Sequence, residues 1–227
     1  MTTRFHGITA CVFDAYGTLF DVHSAVGHHR ARLGDKADAV SVAWRTKQLE
    51  YTWLRSIMDR YVDFWQITGD GLDFALDANG VDDPALREDL MSAYLTLDCY
   101  PEVPEVLTAL KDAGMQTAIL SNGSPRMLEA AVSSAGLGNL LDEVISVDML
   151  GVFKPAMDVY QQVLHLLDVG RGQVSFQSSN AWDAAGAATF GFQVAWCNRF
   201  GQKRERLPDG PHAEMKTLAE LPGIVVP

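Results

Sequence analysis

The sequence predicts an α/β protein: a parallel sheet flanked by helices on both faces and interrupted early by an all-helical insertion. Three observations predict it. Short apolar runs recur at residues 8–13, 116–120, 144–147, 174–177 and 193–197, each of a length that suits a buried strand. Helical patterns separate the later ones, at 101–113, 125–135, 155–167 and 182–190, and strand–helix alternation at this spacing implies parallel pairing. Between residues 21 and 98 the alternation stops and no convincing strand occurs.

The first run, ITACVF, ends in Asp14-Ala15-Tyr16-Gly17-Thr18, where a buried strand gives way to a turn. The insertion follows. It has neither Gly nor Pro from Asp35 to Thr68, and in helical projection Val42, Leu49, Trp53 and Phe64 share one face, with Ile57 at its margin. Further helices are expected over 71–78 and 84–97. The chain should therefore divide into a core (1–20 and 99–227) and a helical cap (21–98). In the core, the helix over 125–135 opens on proline behind Ser124, a suitable N-cap. The tail after Arg199 is polar, then proline-rich, and no chemistry is assigned to it.

Among 227 residues, 48% hydrophobic and 21% charged side chains describe an ordinary globular chain with a packed core. The formal net charge of −11 argues against a nucleic-acid partner, which needs clustered cations. An anionic ligand would have to be met by a few local cations, since charges beyond roughly 8 Å are screened at physiological salt. Cys11, Cys99 and Cys197 are odd in number, far apart and set among apolar residues, which suits buried thiols in a reducing compartment. With no apolar leader and no 18-residue apolar stretch, a cytoplasmic protein without a membrane partner is expected.

Ligands of open parallel sheets bind beyond the carboxyl ends of the strands, which singles out four segments. Asp14 is either a rigidly held carboxylate or a turn former. Ser121, Asn122, Gly123 and Ser124 either cap a helix or offer hydroxyl, amide and backbone N–H groups to an anion. Lys154 is either a surface lysine or a functional cation; near a helix N-terminus it would need a compensating anion, which Asp14 or Asp183 could supply. Ser178, Ser179, Asn180 and Asp183 either cap the next helix or position water.

Together these segments resemble the haloacid dehalogenase superfamily, most closely its L-2-haloacid dehalogenase branch. The matching pieces are FDAYGTL at 13–19, LSNGS at 120–124, Lys154-Pro155 and SSNAWD at 178–183, joined by WRTKQLEY at 44–51. The resemblance implies a Rossmann-like core with a helical cap and a small 2-halo carboxylic acid as substrate. It implies that Asp14 displaces halide to form an ester, which water then opens at the Asp14 carbonyl. It further implies that Thr18 and Ser178 orient Asp14, Lys154 opposes its charge, Ser121 holds the substrate carboxylate, and Asn180 and Asp183 place water. Arg45 and Asn122 would receive the halide, with Tyr16, Leu49, Phe64 and Trp182 shaping an apolar pocket; the same aromatics and leucine could equally be ordinary core. Helical projection alone slightly favours Arg60 over Arg45, whereas the matching flanks select Arg45.

Phosphatases of the superfamily carry further acidic residues where this chain has Tyr16 and Ser179. No metal and no other cofactor are therefore expected. The alternatives are a Mg²⁺-dependent phosphatase and a non-catalytic binding protein on the same fold. Homodimerisation is common in the resembling branch. Thr46 and Ala156 depart from the branch's usual Gln and Asp, the first expected to bear on pocket size or leaving-group preference, and Gln177 is an unexplained polar residue in an apolar strand.

Overall fold

A computed structural model describes residues 3–226. Six strands form one fully parallel sheet in the order β3-β2-β1-β4-β5-β6. They are β1 (Ala10–Phe13), β2 (Gln116–Ser121), β3 (Glu143–Ser146), β4 (Val174–Ser178), β5 (Gln193–Cys197) and β6 (Ala213–Met215). The five expected strands are all present. Central β1 and β4 are buried along their whole length, and two-sided burial is why they read as apolar runs rather than alternating ones. The sixth strand, β6, lies in the polar tail after Arg199. Three residues with Glu214 in the middle give no apolar run, and only pairing with β5 defines it.

Helices α1 (Ser24–His28), α2 (Arg30–Leu33), α3 (Ala37–Ile57), α4 (Phe64–Ala78) and α5 (Pro84–Tyr94) lie between β1 and the rest of the sheet. The chain leaves and re-enters the sheet region at one place: Asp21 N–H donates to the Asp98 carbonyl (2.8 Å) and Tyr100 N–H to that of Leu19 (3.0 Å). The later helices are α6 (Val103–Asp112), α7 (Pro125–Ser134), α8 (Met157–Leu167), α9 (Ala181–Phe190) and α10 (Pro222–Val225). Ser124 holds the N-cap position of α7 but makes no side-chain capping bond.

The inserted helices correct the sequence reading in two ways. No single helical stripe reaches Phe64, because α3 ends at Ile57, Asp59 adopts φ 54°, and α4 starts afresh behind Asp63, whose carboxylate accepts from Gln66 N–H (2.8 Å). The buried face of α3 is Ala37, Val40, Trp44, Gln48 and Thr52, while Val42 and Ile57 face solvent. Polar residues can line that face because they are hydrogen-bonded. Gln48 Nε2 donates to Thr68 Oγ1 (2.8 Å), Gln48 Oε1 accepts from Tyr94 (3.1 Å), and Trp44 Nε1 donates to the Thr68 carbonyl (2.8 Å).

Strand order reverses direction between β1 and β4, so the crevice beyond their carboxyl ends is where this topology places a ligand. Asp14 follows β1 directly, and Ser178 closes β4.

Candidate active site

Asp14 is fixed from several sides. Its N–H donates to the Gln177 carbonyl (2.9 Å), tying the start of the loop to β4. Gly17, at φ 93°, lets the chain turn back so that Thr18 Oγ1 donates to Asp14 Oδ2 (2.9 Å). Asn180 Nδ2 donates to the same oxygen (2.8 Å). The other oxygen, Oδ1, meets Lys154 Nζ at 3.2 Å. Thr18 Oγ1 also accepts from Ser179 N–H (2.8 Å), so the loops after β1 and β4 are locked together.

Lys154 is only 1% exposed, which excludes the surface-lysine reading. Its Nζ bridges Asp14 and Asp183 Oδ2 (2.9 Å), and its N–H donates to Asn122 Oδ1 (3.0 Å). Burial opposes the ammonium charge, but the two carboxylates outweigh it and hold the Lys154 pKa above the ordinary lysine value. Asp183 is fully buried, and burial pushes its carboxyl upward against the pull of Lys154, with the nearby Asp14 adding to the rise. Asp183 Oδ1 also accepts from the Tyr160 hydroxyl (2.7 Å).

Arg45 reaches the site from α3. Nη2 donates to Asn180 Oδ1 (3.1 Å) and the Tyr16 carbonyl (3.3 Å), and Nη1 to Gln48 Oε1 (2.7 Å). Arg60 lies beyond the end of α3, exposed, bonded to its neighbour's carbonyl. Helical projection misplaced it because the helix stops before reaching it. Tyr16 is buried against Tyr94 and Phe64, both with ring centroids at 5.6 Å, and its hydroxyl has no partner among the described residues. A Cβ on Gly123 would lie 2.7 Å from the Tyr16 ring, so only glycine admits that ring over the loop after β2. A cavity of about 290 Å³ opens beside this cluster, lined on its inner side by Gly17, Arg45, Leu49, Asn180 and Trp182.

A family model for haloacid dehalogenase-like hydrolases matches residues 8–191. The chain belongs to this family. It is 45% identical to (S)-2-haloacid dehalogenase 1 of Pseudomonas sp. (strain CBS-3), over 96% of this chain and 97% of that one. It is 47% identical to (S)-2-haloacid dehalogenase 4A of Burkholderia cepacia, over 94% and 93% of the two chains. Among solved structures, the L-2-haloacid dehalogenase of Xanthobacter autotrophicus with chloropropionic acid covalently bound superposes with a TM-score of 0.89. That match is 38% identical and covers 95% of this chain and 97% of the other.

The family motifs thus meet in space: Asp14, Thr18, Lys154, Asn180, Asp183 and Arg45 form one connected set. Some expected residues take different positions within it. The Ser178 hydroxyl accepts from Asn180 N–H (3.1 Å) rather than meeting Asp14, so it steadies the loop that carries Asn180. Ser121 Oγ accepts from Gly123 N–H (3.0 Å), which leaves its hydroxyl proton available. Leu49 and Trp182 line the cavity, whereas Phe64 is fully buried beneath Tyr16. Thr46 is exposed on α3, so it does not shape the pocket directly. Ala156 precedes α8 without a side-chain cap. Gln177 donates to Ser175 Oγ, its Oε1 has no partner among the described residues, and nothing in the structure explains its choice.

Sequence reasoning missed Tyr160 and Gln48. Tyr160 lies on the apolar buried face of α8 and reads as core until Asp183 is seen at its hydroxyl. Gln48 had a usable signal: it is polar in the i, i+4, i+8 series Trp44, Gln48, Thr52, which an all-solvent face would not share with tryptophan.

Proposed function

We propose that this chain hydrolyses short L-2-haloacids to D-2-hydroxy acids through an ester on Asp14. The observation that carries the reading is the buried Asp14–Lys154–Asp183 bridge at the mouth of the sheet, in a member of this family. The relatives' names and the covalent adduct of the Xanthobacter autotrophicus protein support the same chemistry. Asp14 Oδ2 is held by two donors and Oδ1 only by Lys154, so attack on the halogen-bearing carbon comes from Oδ1. Lys154 opposes the charge of this buried carboxylate at Oδ1, and a carboxylate nucleophile shielded from water is what covalent catalysis requires. The carbon–halogen electron pair leaves as halide, which needs no proton. Arg45 and the Asn122 amide receive it, and Ser121 and backbone N–H groups hold the substrate carboxylate.

Water placed by Asn180 and Asp183 then attacks the Asp14 carbonyl. Asp183 takes the proton, its raised pKa making it a better acceptor than an ordinary carboxylate. Asp183 returns that proton to the alkoxide as the ester bond breaks, the second water proton passes to solvent, and the hydroxy acid departs with the former Asp14 oxygen. Residues 21–98 act as the cap that brings Arg45 to the core. No metal takes part: the two carboxylates that match the family's metal-binding carboxylates are already bridged by the Lys154 ammonium. A phosphatase would also need an acid for its alkoxide leaving group where Tyr16 stands, and burial keeps that phenol protonated and a poor donor.

Among the described residues no helix is long and apolar enough to cross a membrane, and the chain is read as cytoplasmic, its three cysteines being free thiols. It is also read as a homodimer, supported by exposed Leu54, Ile57 and Met58 in one row at the end of α3; light scattering at the mass of one chain would contradict this. Halide release from L-2-chloropropionate in excess EDTA, with chiral chromatography of the product, tests the main reading. D-lactate is expected, since one displacement inverts C2 and ester hydrolysis leaves C2 untouched. Dependence on added Mg²⁺, or racemic lactate, would overturn it.

A further inference from the structure

The cavity beside Arg45 has an outer wall that the family motifs do not include. Phe200, Gln202, Lys203 and Glu205 form it, all from the exposed loop after β5. Within 199–206 the chain places four cations (Arg199, Lys203, Arg204, Arg206) against one carboxylate, Glu205, in a protein of net charge −11. Two of the four are committed to ion pairs, Arg199 with Glu102 (2.6 Å) and Arg204 with Glu214 (3.3 Å). Among the described residues Lys203 and Arg206 pair with no carboxylate. The loop is held in place: Asn198 exchanges hydrogen bonds with Gln202 (2.7 and 3.0 Å), and Asp209 accepts from Thr189 (2.9 Å). At the cavity's edge Phe200 meets the cap edge-on at His23, with centroids 6.3 Å apart.

We propose that this basic loop gathers the anionic substrate at the mouth of the cavity beside Arg45, offsetting the repulsion of an acidic protein. The proposal rests on the dehalogenase reading, which makes the ligand a carboxylate. A low-dielectric cleft concentrates such a field, so a charge on its wall acts on the local substrate concentration rather than on the chemical step. Glu205 on the same wall works against Lys203, which fixes the sign of two opposite substitutions.

At about 8 Å one charge in water changes a monoanion's local concentration by about two- to threefold. In low ionic strength Lys203→Gln should therefore raise KM for L-2-chloropropionate by about that factor, and the double variant Lys203→Gln/Arg206→Gln by about fivefold. Glu205→Gln should lower KM by about two- to threefold, with kcat within twofold in all three. Repeating the series at about 0.5 M ionic strength, set with sodium sulfate, shortens the screening length to about 4 Å and should bring all KM values together. A purely structural loop would shift both single variants the same way and would ignore salt. KM changes of one sign, KM changes that persist at high salt, or no change at all, alongside a working wild-type protein, would overturn the proposal alone. A wild-type protein that releases no halide would overturn it together with the reading it rests on.

Discussion

Lys154→Met is expected to reduce turnover of L-2-chloropropionate by at least ~10³-fold, a loss of about 4 kcal/mol of barrier stabilisation. The ammonium touches both buried carboxylates, at 3.2 Å and 2.9 Å. Without it, Asp14 and Asp183 lose the cation they share in a buried site, and Asp14 Oδ1 loses the donor that holds it. Removing one member of a buried charge cluster also destabilises the fold, by about 3–5 kcal/mol, so lost activity in this variant alone would be ambiguous. Lys154→Met/Asp183→Asn separates the two effects. It removes one buried negative charge along with the positive one and should recover much of the lost denaturation midpoint, while turnover stays below ~10⁻³ of wild type. A folded Lys154→Met protein with a tenth of wild-type kcat would contradict the role given to this residue.

Arg45→Ala is expected to cost at least ~10²-fold in kcat, about 2.7 kcal/mol. The guanidinium connects α3 to Asn180, the residue that also holds Asp14, so its removal takes away a fixed cation for the departing halide and loosens the nucleophile's partner. Arginine suits a halide site because its charge persists and it is weakly hydrated. Arg60→Ala is the matched comparison: same residue type, same insertion between β1 and β2, exposed and away from the cluster. It should remain within about twofold of wild type. The reverse pattern, with Arg60→Ala impaired and a folded Arg45→Ala protein near wild type, would mean that the wrong arginine has been placed at the halide.

The sheet was legible in the sequence because strands buried on both faces carry their own signal: ITACVF, QTAIL, VSFQ and QVAWC need no partner to look apolar. The same holds for Asp14, Lys154 and the SSNAWD segment, whose positions after strands put them at the carboxyl edge of the sheet. What could not be read depends on neighbours distant in sequence. The inner face of α3 includes Gln48 and Thr52, which hydropathy assigns to solvent; hydrogen bonds from α4 and α5 make that face habitable. The break before Phe64 lacks Gly and Pro and rests instead on Asp59 at positive φ and on Asp63 as a cap. Strand β6 exists only as a partner of β5. Tyr160 belongs to the site because α8 packs beside α9, which brings its hydroxyl to Asp183.

Inversion at C2 does not by itself prove an ester, since Asp14 acting as a general base for direct attack by water would invert C2 as well. A single turnover in H₂¹⁸O with protein in excess of L-2-chloropropionate distinguishes the two routes. If Asp14 is the nucleophile, the lactate hydroxyl oxygen comes from Asp14 and is unlabelled. The peptide containing Asp14 gains about 2 Da, because solvent oxygen enters the carboxylate when the ester opens. Labelled lactate with an unshifted Asp14 peptide would contradict the covalent mechanism.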